Sequence, residues 1–235
     1  MGGFAAIIGN FYLKCLIKEA DKLTKKSNKS DTISNIINAA SVVFAESGLA
    51  DANIQDIADR AGVTKQLVYH YFQNKNQLFA CVIDMSSDDP MQGLISELHQ
   101  SNITTTMPPT QALCELIDKT LGVYYKHPLM ASLADDGIRY HGNHDTPRNQ
   151  FVRLGPELTQ MLREILARGQ ASGEFREDIN PDLLFGMIGL IAGSTFTNRY
   201  VVNVLANIDP TSEDGAALWR PFVVDLISSG VLKRS

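Results

Sequence analysis

The stretch from Gly62 to Phe79, GVTKQLVYHYFQNKNQLF, sets a turn glycine, a threonine and a lysine ahead of three aromatics and a histidine. Val68 and Phe72 stand four apart and would share one side of a helix, with Val63 helping to bury it. That leaves Lys65, Gln66, Leu67, Tyr69 and His70 at or near the opposite face. The chemistry suits a base edge in a DNA major groove. An amide such as Gln66 presents donor and acceptor together to adenine, Lys65 reaches guanine acceptors or a phosphate, and Leu67 or the Tyr69 ring packs on a thymine methyl. Thr64 and Asn53, as helix caps, would sit where free backbone N–H groups point outward toward phosphate oxygens. Lys75, in the first turn of the next helix, is placed to clamp the backbone beside the groove. No Asp or Glu occurs between Asp59 and Asp84, and acids there would repel phosphate.

A reading helix needs a frame. From Asp31, the positions Ile33, Ile36, Ile37, Ala40, Val43 and Phe44 follow amphipathic helical spacing, with Asp31 or Thr32 as cap and Gly48 as stop. Asn53 caps a second helix, with Asp56 at its third position, and Gly62 ends it in a left-handed turn. Thr64 then caps the third helix, so helices two and three are spaced as a helix-turn-helix. Asn74 caps a fourth, with Leu78, Phe79, Val82 and Ile83 on its apolar side.

Beyond it the chain reads as helix after helix. Pro90 marks a new start, Met107-Pro108-Pro109 is a linker, and Thr110 opens a helix through Lys126 that ends at His127-Pro128. Segments near 128–139 and 147–170 follow, the latter restarting at Gly155-Pro156. Asn180-Pro181-Asp182 begins a helix to about Leu205, and 215–232 forms the last. No alternating pattern makes a strand, so the fold class is all-α. The expected domains are an extension over 1–30, a helix-turn-helix domain over 31–78 and a larger helical domain over 79–235.

Composition agrees with a folded protein: 235 residues, 44% hydrophobic and 20% charged. The net charge of -5 conceals an asymmetry, because residues 1–80 carry 9 Lys and Arg against 7 acids, and residues 81–235 carry 12 against 19. Any nucleic-acid contact therefore belongs to the head. Cys15, Cys81 and Cys114 are odd in number and lack a CxxC pairing, which fits packed thiols in a reducing cytoplasm rather than a disulfide framework or zinc cluster. The opening MGGFAAIIGNFYLKCLI is interrupted by Asn10 and Lys14 and is too short to span a bilayer, so neither signal peptide nor membrane anchor is expected.

Residues 33–79 resemble the N-terminal domain of the tetracycline-repressor (TetR) family of bacterial transcriptional regulators. The specific part is IADRAGVTKQLVYHYFQNKNQLF, where Ile57, Ala58, Ala61, Gly62, Val63, Thr64, Tyr69, Phe72, Lys75 and Leu78 fall on the family pattern. The resemblance implies phosphate contacts from Tyr69 and Lys75 and base reading by Lys65, Gln66, Leu67 and His70. Tyr71, standing where histidine is common in the family, and Leu67, standing where a small or hydroxylated residue is frequent, depart from it and bear on the operator sequence. Repression is the usual family behaviour.

A single reading helix covers little DNA, so a homodimer on two half-sites about 34–36 Å apart is the economical architecture. By resemblance the last two long helices form the dimer surface. Gly186, Gly189 and Gly193 on one side of the first, with Trp219, Phe222 and Leu226 on the second, fit that role. The middle helices would by family analogy enclose a small-molecule effector pocket, with Tyr124, Tyr125, His127 and Phe151 as lining residues. Effector binding would then respace the two heads, with the helix that starts at Lys75 as lever. His141-x-x-His144-Asp145 invites a metal reading but lies in a Gly/Asn-rich connection without a third ligand, and is read as surface loop. No cofactor is called for. Two other classes compete: a helical enzyme, for which the sequence offers no nucleophile–base pair, phosphate loop or carboxylate pattern, and a protein-interaction adaptor.

Overall fold

The computed structural model describes residues 26–143 and 150–233, with side chains from residue 30 onward except 87–89, 150 and 151. Ten helices are assigned among the described residues: α1 (Lys26–Asp51), α2 (Ile54–Ala61), α3 (Lys65–Phe72), α4 (Lys75–Gln100), α5 (Pro109–Lys126), α6 (Pro128–Asn143), α7 (Gln150–Ala171), α8 (Pro181–Thr197), α9 (Arg199–Ala206) and α10 (Glu213–Val231). The one β contact among them is an isolated antiparallel bridge between Phe175 and Leu232. The all-α expectation holds.

Two compact units divide the chain. The first takes the described residues 26–85 and 136–143, the second 86–135 and 150–233. The first therefore reaches past the expected boundary at residue 78 and also takes a segment of α6. The reason is aromatic packing: Phe79 is fully buried, edge-on to Phe44 at 5.0 Å and to Tyr140 of α6 at 5.6 Å.

Within the first unit, α1 supplies Ile36, Ile37, Ala40, Val43 and Phe44 to the core, and α2 packs across it with Ile54, Ile57 and Ala58 buried. By length and composition the stretch 30–51 is apolar enough to cross a membrane, and its apolar residues Ile36, Ile37, Ala40, Val43 and Phe44 are buried in the core of this unit. α1 starts earlier than the cap expected at Asp31 and is broken at Gly48, where φ 72° and ψ 170° leave the helix.

In the second unit α5 is central. Nine of its 18 residues are buried, Leu113, Leu116, Ile117 and Leu121 among them, because α7, α8 and α10 all pack on it. A helix enclosed on several sides loses the polar stripe of a surface helix. Side chains stitch the loops to this frame. Arg168 donates to the carbonyls of Ile103 and Met107 across the α4–α5 turn. Arg220 of α10 donates to Asp118 Oδ1 at 2.8 and 3.1 Å and lies 5.4 Å above the Tyr125 ring. On the surface, Lys126 and Lys119 hold the Glu97 carboxyl below the usual range.

Three expected breaks are not breaks. α4 continues through Pro90 and α7 through Pro156. Proline removes one backbone hydrogen bond, but Val82 and Ile83 before Pro90 and Met91, Leu94, Ile95 and Leu98 after it keep helical spacing and are all buried, which offsets that loss. His141, expected in a loop, lies in the last turn of α6; His144 and Asp145 lie outside the described residues. Conversely, the helix expected to reach Leu205 ends at Thr197 and resumes at Arg199.

Gly169 of α7 has no room for a methyl group: a Cβ there would stand 2.0 Å from the ring of the buried Phe175. Gly169→Ala should therefore lower the stability of the whole chain by about 1–3 kcal/mol through overpacking, read as a shifted urea midpoint at unchanged slope.

Candidate nucleic-acid interface

The turn before α3 is built by local chemistry. Asn53 accepts a hydrogen bond from the Gln55 amide at 2.9 Å and starts α2. Gly62, at φ 68°, closes α2 in the left-handed region that glycine enters without cost. Its N–H donates toward Ala58 and Asp59, and the Val63 amide donates to the Ala58 carbonyl at 2.9 Å. Thr64 then accepts from the Leu67 amide at 3.2 Å and opens α3. Both expected caps are in place.

α3 divides as its spacing predicts. Val68 and Phe72 are 1% and 3% exposed, whereas Lys65, Gln66 and His70 are exposed and Tyr69 remains 42% exposed. Leu67 and Tyr71 are half-buried, and the Tyr71 ring meets His70 edge-on at 5.3 Å. One side of the helix thus presents an ammonium, an amide, a phenol and an imidazole with no carboxylate among them. That set can donate to phosphate oxygens and read base edges.

Lys75, expected to clamp the DNA backbone, is half-buried at the start of α4. Its Nζ donates to the Ala50 carbonyl at 2.8 Å and the Ala52 carbonyl at 3.0 Å, so it ties the start of α4 to the α1–α2 turn. On the same turn the Leu49 amide donates to Asp136 Oδ2 at 2.6 Å. Sequence reading missed this carboxylate because nothing local marks a contact spanning 87 residues.

Of the expected effector residues, Tyr124 and Tyr125 both pack on Phe196. Tyr124 is buried, its hydroxyl pushed up to about 12 by burial, and stacks on Phe196 at 5.8 Å. Tyr125 is half-buried and donates to the Pro210 carbonyl at 2.6 Å, and His127 ends α5. The Phe151 side chain lies outside the described residues. A surface cavity of about 490 Å³ in the same unit is lined instead by Gln92, Ile95, Ser96, His99, Gln100, Leu154 and Glu157.

Of the residues expected at a dimer surface, Gly186, Gly189, Phe222 and Leu226 are exposed. Gly193 faces inward, where a Cβ would touch the Tyr124 hydroxyl at 3.4 Å, and Trp219 is half-buried with its Nε1–H donating to Thr195 Oγ1 at 3.0 Å. These two hold α8 within its own unit.

A helix pair joined through a left-handed glycine, with a buried stripe behind an acid-free exposed face, defines a helix-turn-helix DNA-binding protein. The chain belongs to the tetracycline-repressor family: residues 36–82 match the bacterial regulatory proteins of the tetR family, and residues 109–227, about half of the chain, match the tetracyclin repressor-like C-terminal domain. It is a transcriptional regulator and not an enzyme. The chain is 27% identical to the HTH-type transcriptional repressor NicS of Pseudomonas putida, over 85% of this chain and 92% of that one. It is 28% identical to the repressor KstR2 of Mycolicibacterium smegmatis, over 65% and 72%. Its fold is shared by the regulator FadR from Bacillus subtilis, solved with stearoyl-CoA, at TM-score 0.57 and 23% identity over 84% of this chain and 98% of that one.

The two faces of α3 should separate in mutation. Val68→Ala removes buried volume and should cost about 1–3 kcal/mol of thermal stability, whereas Gln66→Ala should change it by less than about 0.5 kcal/mol. Circular dichroism melts of the two variants test the division.

Proposed function

We propose that this chain is a cytoplasmic transcriptional repressor that binds a two-fold-symmetric operator as a homodimer and is released by a small-molecule effector. The observation that carries the DNA half is the exposed, acid-free face of Lys65, Gln66, Tyr69 and His70 on a helix whose other side is anchored by Val68 and Phe72. Repression is favoured by the relatives, which are named as transcriptional repressors.

The dimer is supported by an uncovered apolar face. On α8, Leu183, Met187 and Leu190 are 74%, 42% and 73% exposed; on α10, Leu218, Phe222 and Leu226 are 62%, 57% and 61% exposed. Each trio recurs at three or four residues, so each lies along one helix side. A second copy placing the same two helices against these would bury all of them in a four-helix arrangement. The middle helices α4 to α7 remain the place of the effector site, with Tyr124, Tyr125, His127 and Phe151 as candidates.

The test joins both halves. A duplex selected from random DNA by the chain should carry an inverted repeat, and its affinity should fall at least about 100-fold between 50 and 200 mM salt. Gln66→Ala should lower affinity for that duplex by about 5- to 150-fold, the range of one amide–adenine contact. Leu190→Glu with Phe222→Glu should turn a sedimenting dimer into a folded monomer at micromolar concentration and abolish the preference for paired half-sites. Salt-independent retention would sink the DNA reading, and a monomeric wild type would sink the dimer.

A further inference from the structure

The turn between α1 and α2 is held by two charged side chains that belong to neither helix. At Gly48 the backbone adopts φ 72° and ψ 170°, a region essentially restricted to glycine. The next amide, Leu49 N–H, donates to Asp136 Oδ2 at 2.6 Å. A Cβ at position 48 would stand 3.1 Å from that same oxygen, so the carboxylate sits directly against the break. Lys75 holds the other side through the Ala50 and Ala52 carbonyls. Hydrogen bonds between an ionised side chain and a backbone group are roughly twice as strong as neutral ones.

What this turn controls is direction. Ala52 is buried and Asn53 caps α2, so the chain has only residues 49–53 in which to set the path of α2, and α2 passes through Gly62 straight into α3. Asp136 is also the first residue of α6 that belongs to the DNA-binding unit, the preceding Pro128–Asp135 belonging to the second. The bond lies within the DNA-binding unit and ties its segment of α6 to the residues that aim the reading helix.

We propose that Asp136 is a positioning residue for DNA recognition. By fixing the Leu49 amide it sets the angle at which α2 and α3 meet the groove, without itself touching DNA. The inference rests on the DNA-binding reading above. It also has a sign that simple electrostatics lacks: deleting an acid from a DNA-binding unit should strengthen binding to any DNA, whereas losing the latch weakens binding to the selected sequence alone.

The test uses the full chain, the duplex it selects from random DNA, and a scrambled duplex of equal length. Asp136→Ala removes the acceptor and Asp136→Asn keeps a neutral one in the same place, while both remove the charge; their difference reads the hydrogen bond. Amide exchange at Leu49 should rise about tenfold or more in Asp136→Ala and less in Asp136→Asn, in line with the loss of a charge-assisted bond. Affinity for the selected duplex should fall about 5- to 20-fold in Asp136→Ala and recover largely in Asp136→Asn, with scrambled-duplex affinity and salt slope within about twofold of wild type. Unchanged selected-duplex affinity despite faster Leu49 exchange would overturn the latch alone, as would equal losses on both duplexes. A wild type that selects no sequence at all would overturn the DNA-binding reading and the latch together.

Discussion

Everything in the DNA-binding unit answers to one constraint: α3 has eight residues and an isolated helix of that length does not persist in water. It exists because Val68 and Phe72 are almost completely removed from solvent, and only these two of its side chains are buried. Each contributes roughly 1.5–3 kcal/mol of burial, and the Thr64 cap adds about 1 kcal/mol by satisfying an otherwise orphaned amide. With the buried anchoring concentrated in Val68 and Phe72 and the half-buried Leu67 and Tyr71 beside them, Lys65, Gln66, Tyr69 and His70 are left exposed. That exposure is what the proposed recognition role requires of them. The rest of the unit, from the α1 core to Phe79 and Tyr140, forms the surface against which two anchors suffice.

Much of this was legible because it is local. Asn53, Thr64, Asn74 and Asn180 cap the helices that their neighbours announce, each accepting an amide two or three residues ahead. The same short range explains Gly62 and the inward spacing of Val68 and Phe72. Proline misled because its cost was weighed without its surroundings. Pro90 sits in a helix whose buried apolar spacing continues on both sides, and packing there outweighs one missing bond. Pro156 is exposed near the start of α7, whose buried residues Leu158, Met161 and Leu162 follow it. The break at Asn198 is hard to read because no glycine or proline marks it between Phe196 and Val201.

The least legible features were the partners of charged groups. Lys75 falls on a pattern position associated with phosphate, yet two backbone carbonyls 23 and 25 residues away take its ammonium. A lysine has three donors, so holding this turn and meeting a phosphate are compatible in principle, and the turn is the contact present without DNA. The partner of Leu49 was beyond reach altogether, because it depends on α6 folding back onto the unit that α1 begins. The unit is discontinuous in sequence, and its boundary follows the aromatic contacts of Phe79 rather than any linker.

Glycines on α8 show how one sequence stripe divides between two duties. Gly186, Gly189 and Gly193 recur every three or four residues and read as one small-residue side, and Gly186 and Gly193, seven residues apart, differ by only about 20° round the axis. What separates them is position along the helix: Gly193 near the C-terminal end is covered, admitting the Tyr124 hydroxyl, while Gly186 and Gly189 remain beside the exposed Leu183, Met187 and Leu190. Trp219 on α10 likewise turns toward Thr195, leaving Phe222 and Leu226 outside. The inner half of each helix therefore belongs to the unit's own core. The outer half remains an apolar surface whose solvation is unfavourable, and the proposed self-association through matching helices would relieve that with no element added to the chain.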